Sequence, residues 1–185
     1  MNRKDLDAKQ RLLVNEANAS GPMSLAKYLT LVAAMRDGPG LEQWLLDHGQ
    51  YGIVEPSPPA REWPATTPQA CYENALIAAM QWDDLTYVEG YVMPDHGFPI
   101  HHAWLVDSDG RVLDPTLDYQ ADWVYFGVPL TTEHIVAVSF ETGRSGPYTD
   151  GLNWPVPDTA IAVSSTNIVQ GFSEETPAKF PLKPS

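Results

Sequence analysis

Apolar residues along this chain repeat with two different periods, and the change of period divides it. From Ser24 to Met35 they fall at Leu25, Tyr28, Leu29, Val32 and Ala33, the three- and four-residue steps of one buried helical face. Asp37-Gly38-Pro39-Gly40 stops that helix, and Leu41 to His48 predicts a short second one with Trp44 and Leu45 inward. Before both, Asp5 to Ala17 carries only a thin row (Leu6, Leu12, Leu13) on a charged background and reads as an exposed helix. A proline-rich loop follows from Glu55 to Thr67, and Thr66 to Met80 predicts a further helix. Its start is read from local chemistry: Thr67 as N-cap, Pro68 at the first helical position, and Cys71 in the first turn. Ala75 and Ala78 continue the stripe toward Trp82, small enough to let a sheet lie close.

Beyond Leu85 the period shortens to two. Thr86 to Met93 alternates, with Val88, Gly90 and Val92 on one face and Tyr87, Glu89 and Tyr91 on the other. Glycine inside a strand marks a place where another backbone or a ligand comes close, so Gly90 is expected to sit at one. Ile100 to Asp107 and Arg111 to Asp114 form a hairpin around Ser108-Asp109-Gly110. A three-residue loop pairs Val106 with Val112 and puts His102, Trp104 and Asp114 on one face. A two-residue loop would turn Asp114 away from His102. Trp123 to Leu130 and Ile135 to Phe140 are read as further strands, and residues 171–185 as a loosely docked tail.

Composition narrows the class. The chain has 185 residues, 43% of them hydrophobic, enough for one sizeable domain and short for two. Its expected organisation is a single domain over 1–185, with helical residues 1–50, a core over 66–140, and the tail. With 24 acidic against 11 basic residues the net charge is −13, which disfavours binding to phosphate backbones. The acids are scattered and read chiefly as a solvated surface, although an acidic chain can also mimic DNA. No apolar run approaches the roughly 20 residues of a membrane span. One cysteine excludes an internal disulfide, and with no export signal at the N-terminus the expectation is a cytoplasmic location.

The chemistry centres on three residue types. A cysteine at a helix start sits near the positive end of the helix dipole, where a thiolate is favoured. Imidazole can take the thiol proton and return it to a leaving group, and a carboxylate holds the ring and stabilises its charged form. Cys71, His102 and Asp114 are therefore the expected nucleophile, base and orienting acid. Candidates for oxyanion or substrate contacts are Gln69, Trp104, Trp63 and Tyr91, with Trp63 alternatively an aromatic peg in the core. The Cys71 N–H is the default oxyanion donor. His101 points away from His102 by alternation, Asp109 belongs to a turn, and Asp118 is a substitute for Asp114. A metal site built from Asp95, His96, His101 and His102 is disfavoured because the last two face opposite ways, and no cofactor is expected.

The order Cys71, Val88-Glu89-Gly90-Tyr91, His102-Ala103-Trp104 and Asp114-Pro115-Thr116 resembles the transglutaminase-like branch of the papain-like cysteine enzymes. The resemblance covers Pro68 to Thr116 and departs from the family in having Gln-Ala just before the cysteine. It implies an α+β fold, with N-terminal helices and a catalytic-cysteine helix packed on an antiparallel sheet. It implies acyl transfer through a thioester, on a protein, peptide or small amide substrate: proteolysis, amide hydrolysis, deamidation or transfer to an amine. The rival expectation is a non-catalytic acidic binding or inhibitor protein on a degenerate version of that fold.

Overall fold

The computed structural model describes residues 24–35, 40–55, 61–94, 97–117, 123–149 and 158–162. The expected helix at Asp5 to Ala17, the tail, Asp95, His96 and Asp118 lie outside them. Four helices and five strands are described. The helices are α1 (Leu25–Met35), α2 (Leu41–His48), α3 (Cys71–Gln81) and α4 (Thr132–Thr142). The strands are β1 (Gln50–Tyr51), β2 (Thr86–Met93), β3 (Ile100–Val106), β4 (Val112–Leu113) and β5 (Val124–Leu130). The strands form one antiparallel sheet in the order β1-β5-β2-β3-β4, so the class is α+β. Among the described residues no helix is long and apolar enough to cross a membrane.

The sheet curls until its two edges touch. Just past β1, Ile53 bridges Arg111 beside β4: its N–H donates to Gly110 O at 2.9 Å and its carbonyl accepts from Val112 N at 2.8 Å. Alternation then gives the sheet an inner and an outer face. Val88, Val92, Trp104, Val112 and Tyr125 pack together inside the curl. Tyr87, Tyr91, Ala103, Leu105, Phe126, Val128 and Leu130 face outward, where helices cover them. Gly90 and Gly127 make the tight curvature possible, since a Cβ on Gly90 would lie 2.3 Å from Phe126 O and 2.4 Å from Gly127 Cα.

The helical layer follows the stripes read from the sequence. Ser24 caps α1 through its hydroxyl, and Leu25 and Leu29 pack on Trp44 and Leu45 of α2. On α3, Ala75, Ala78 and Ala79 are fully buried, and their small side chains let the helix lie against β3. A larger residue there would overpack the interface at a cost of about 1–3 kcal/mol.

Two expectations are corrected. The segment Ile135 to Phe140 is helical, inside α4, rather than a strand. Thr131 caps it by accepting from His134 N, Gly143 ends it in the left-handed conformation at φ 67°, and only Ile135 is buried. Its β-branched run is therefore outvoted by its end signals. The cysteine helix also begins later than Thr67 and Pro68 suggest. Thr67 to Ala70 forms a tight turn, closed by Ala70 N–H donating to Thr67 O at 3.2 Å, with Gln69 at φ 64°. Proline followed by a positive φ is the signature of a type II turn, and it makes Cys71 the first residue of α3.

Candidate active site

The hairpin takes the longer loop. Val106 pairs with Val112 and Leu105 with Leu113, while Asp107 N–H donates to Arg111 O at 3.1 Å. Asp107 stabilises the turn by accepting from Asp109 N and Arg111 N and by pairing with the Arg111 guanidinium at 2.7 Å. In this register His102 and Asp114 lie on the inner face, and His102 Nε2 meets Asp114 Oδ2 at 2.7 Å. The Asp114 side chain is fully buried and His102 is 3% exposed.

Asp114 is held by more than the histidine. Its Oδ1 accepts from the N–H groups of Thr116 (2.8 Å) and Leu117 (3.0 Å), and its Oδ2 also accepts from the Tyr125 hydroxyl (3.0 Å). A carboxylate with its lone pairs so engaged has one orientation to offer the ring. The Asp-Pro-Thr sequence folds back on itself, and β4 ends at Leu113, so among the described residues no strand pairs with β3 on that side around His102. Cys71 stands beside the His102 ring there, close enough to act on its charge.

The electrostatics of His102 follow from these contacts. Burial opposes charge on the ring, but the hydrogen bonds to Asp114 and Cys71 and the attraction of both groups outweigh it and raise the pKa to about 9. His102 is thus an imidazolium at neutral pH. Trp104 stacks beside it at 6.2 Å and 12° and limits its movement.

The approach to the cysteine is fixed by a residue that the sequence pattern did not single out. Asn74, one turn along α3 from Cys71 and 3% exposed, accepts from Thr67 N at 2.9 Å. Its amide donates to Thr67 O at 2.8 Å and to Thr116 Oγ1 at 2.9 Å. One side chain therefore ties the turn before Cys71 to the segment that holds Asp114. The available signal was a polar residue interrupting the small apolar face of that helix. Tyr125 was legible too, by alternation along β5, as a hydroxyl on the inner face.

The remaining candidates fall into different surroundings. Trp104 and Tyr91 are buried, and Tyr91 donates its hydroxyl to Glu42 Oε1 at 3.3 Å, so neither presents a surface to a substrate. Trp63 packs edge-on against Trp82, at the far end of α3 from Cys71, which makes it a core peg. Gln69 is exposed in the turn before Cys71. His101 lies on the outer face, hydrogen-bonded through Nδ1 to the Tyr72 hydroxyl at 2.9 Å. Among the described residues no group of His, Cys, Asp and Glu is arranged to hold a metal. No family model, curated protein or solved structure matches the chain.

Proposed function

We propose that the chain is a cysteine-dependent acyl-transfer enzyme acting on an amide or peptide bond, of the transglutaminase-like and papain-like kind. The observation that carries this reading is the connected line Cys71, His102 and Asp114, with the sulfur at a helix start and the carboxylate fully buried. Paired with the His102 imidazolium, the Cys71 sulfur attacks the carbonyl carbon. The oxyanion is met by the Cys71 N–H, which has no intrahelical carbonyl to bond at the first helical position. The tetrahedral adduct collapses as the C–N bond breaks, and His102 gives its proton to the leaving amine. The thioester is then attacked by water or by a second amine, whose proton returns to His102. Asp114 keeps the ring aligned throughout.

The substrate expected is a protein, peptide or small amide. The test is incubation of wild type and Cys71→Ala with a cell lysate, read by mass spectrometry for new termini, deamidation or crosslinks that need Cys71. Alongside it, iodoacetamide should label native Cys71 at pH 7 at least about tenfold faster than it labels an ordinary thiol of pKa about 8.5. Labelling no faster than a free thiol, with no Cys71-dependent product, would replace this reading with that of an acidic binding protein.

A further inference from the structure

Two consecutive residues of α3 meet two consecutive residues of β3. Cys71 stands beside the ring of His102, which belongs to the inner face, and on the outer face the Tyr72 hydroxyl lies 2.9 Å from His101 Nδ1. The start of α3 thus holds β3 from both sides. His101 is itself held: its ring lies 5.1 Å from that of Tyr91, and Oε1 of the fully buried Glu89 stands 3.7 Å from its Nε2. A carboxyl oxygen there draws the ring proton to Nε2, which leaves Nδ1 to accept from the Tyr72 hydroxyl. Tyr72 is also packed at its base, since a Cβ on Gly146 would stand 2.8 Å from Tyr72 Cβ. The helix start has need of such a fastening. Ala70 occupies the N-cap position, so no capping side chain steadies the turn that carries Cys71.

We propose that Tyr72 and His101 are positioning residues for the nucleophile: their hydrogen bond fixes the roll of the first turn of α3 over β3, and with it the place of the Cys71 sulfur beside His102. The inference rests on Cys71 and His102 as nucleophile and base. Adjacent residues of a helix project about 100° apart around its axis, so a rotation that opens the Tyr72 contact also swings the sulfur. A displacement of about 1 Å between reacting groups can cost about a hundredfold in rate. The pair acts from the outer face, so its effect reaches the chemistry through the backbones of α3 and β3. Asn74 fastens the turn that precedes Cys71, and Tyr72 fastens the one that Cys71 begins.

The probe is iodoacetamide, and the readout is the pH profile of Cys71 alkylation in the full-length chain, at a temperature where circular dichroism shows each protein fully folded. Tyr72→Phe removes the hydroxyl and keeps the ring against Gly146. It should lose at least about tenfold of the wild-type rate at pH 7, with its profile displaced toward that of an ordinary thiol of pKa about 8.5. His101→Leu should do the same, whereas His101→Asn, whose amide oxygen can stand where Nδ1 stood, should return the profile to that of wild type. Should His101→Leu not fold, Tyr72→Phe and the profile of His101→Asn decide. A folded Tyr72→Phe that melts earlier but keeps the wild-type profile would overturn the proposal by making the contact a stabiliser only. An ordinary-thiol profile in His101→Asn would overturn it too, because the hydrogen bond would then not be what matters at His101. An ordinary-thiol profile in wild type itself would remove the nucleophile reading and this inference with it, and that failure is told apart by needing no variant.

Discussion

His102 is where the local physics is sharpest. Its folded pKa of about 9 lies well above the roughly 6.5 of an unperturbed imidazole. For a group raised on folding, the stabilising contribution is complete below the unfolded value and is lost as pH rises through the folded one. The chain should therefore lose on the order of 2–3 kcal/mol of stability between pH 6.5 and 9 through this residue. His102→Gln should abolish that slope and be less stable than wild type chiefly below pH 6.5. Urea melts across the range check it: parallel curves for the two proteins would mean that Asp114 and Cys71 do not hold the proton in place. The same measurement on Asp114→Asn should move the loss to lower pH, because the amide keeps the contact but not the charge.

At the scale of elements, the site depends on how a turn, a helix start and a hairpin end are fastened together. Asn74 spends its whole amide on that task, bonding both backbone groups of Thr67 and the hydroxyl of Thr116. Asn74→Ala removes the partner of both Thr67 backbone groups and of the half-buried Thr116 hydroxyl, for an expected loss of about 1–2 kcal/mol. Its specific signature is kinetic. Iodoacetamide labelling of Cys71 should fall toward that of an ordinary thiol even at temperatures where the variant is fully folded by circular dichroism. Undiminished labelling in a folded Asn74→Ala would make the residue a stabiliser only. The hairpin and α3 show how far the sequence carries. Alternation and loop length settle the register that places His102 beside Asp114, because a slip by one residue inverts every side chain. The start of α3 escapes the same reasoning: Thr67-Pro68 satisfies the rules for a helix cap and for a type II turn equally well. The choice is made by Asn74, whose partners are brought to it only by the folded chain. Likewise α4 conceals itself behind a strand-like run of Ile, Val and Phe, and its identity rests on Thr131 and Gly143 at its ends.

For the whole molecule, what no local pattern reveals is closure: the contact of Ile53 with Arg111, and the attachment of the segment after α4 to the middle of the sheet. Glu89 makes that attachment. Alternation sets it between Tyr87 and Tyr91 on the outer face, which reads from the sequence as one acid on an aromatic strand. In the fold it is fully buried, and its carboxyl accepts from Tyr148 N at 2.8 Å, Thr149 N at 3.1 Å and the Tyr87 hydroxyl at 3.1 Å, and is in contact with the Thr149 hydroxyl. Burial is the largest influence on its pKa and raises it, against the opposing pull of these donors. With a raised folded value, stability is greatest below the ordinary glutamate pKa of about 4.3 and declines as pH rises through the folded value. Glu89→Gln keeps the volume but turns one acceptor into a donor facing other donors, so it should be destabilised by about 1–3 kcal/mol at low pH. Because the amide does not ionise, the gap between it and wild type should narrow as pH rises from about 4. Paired urea melts would decide the matter, and a gap that widens with pH would show that the hydrogen bonds, rather than burial, govern this carboxyl. Limited proteolysis adds the spatial readout: cleavage between Gly143 and Thr149 should appear first in Glu89→Ala, since no other described side chain accepts from the N–H groups of both Tyr148 and Thr149.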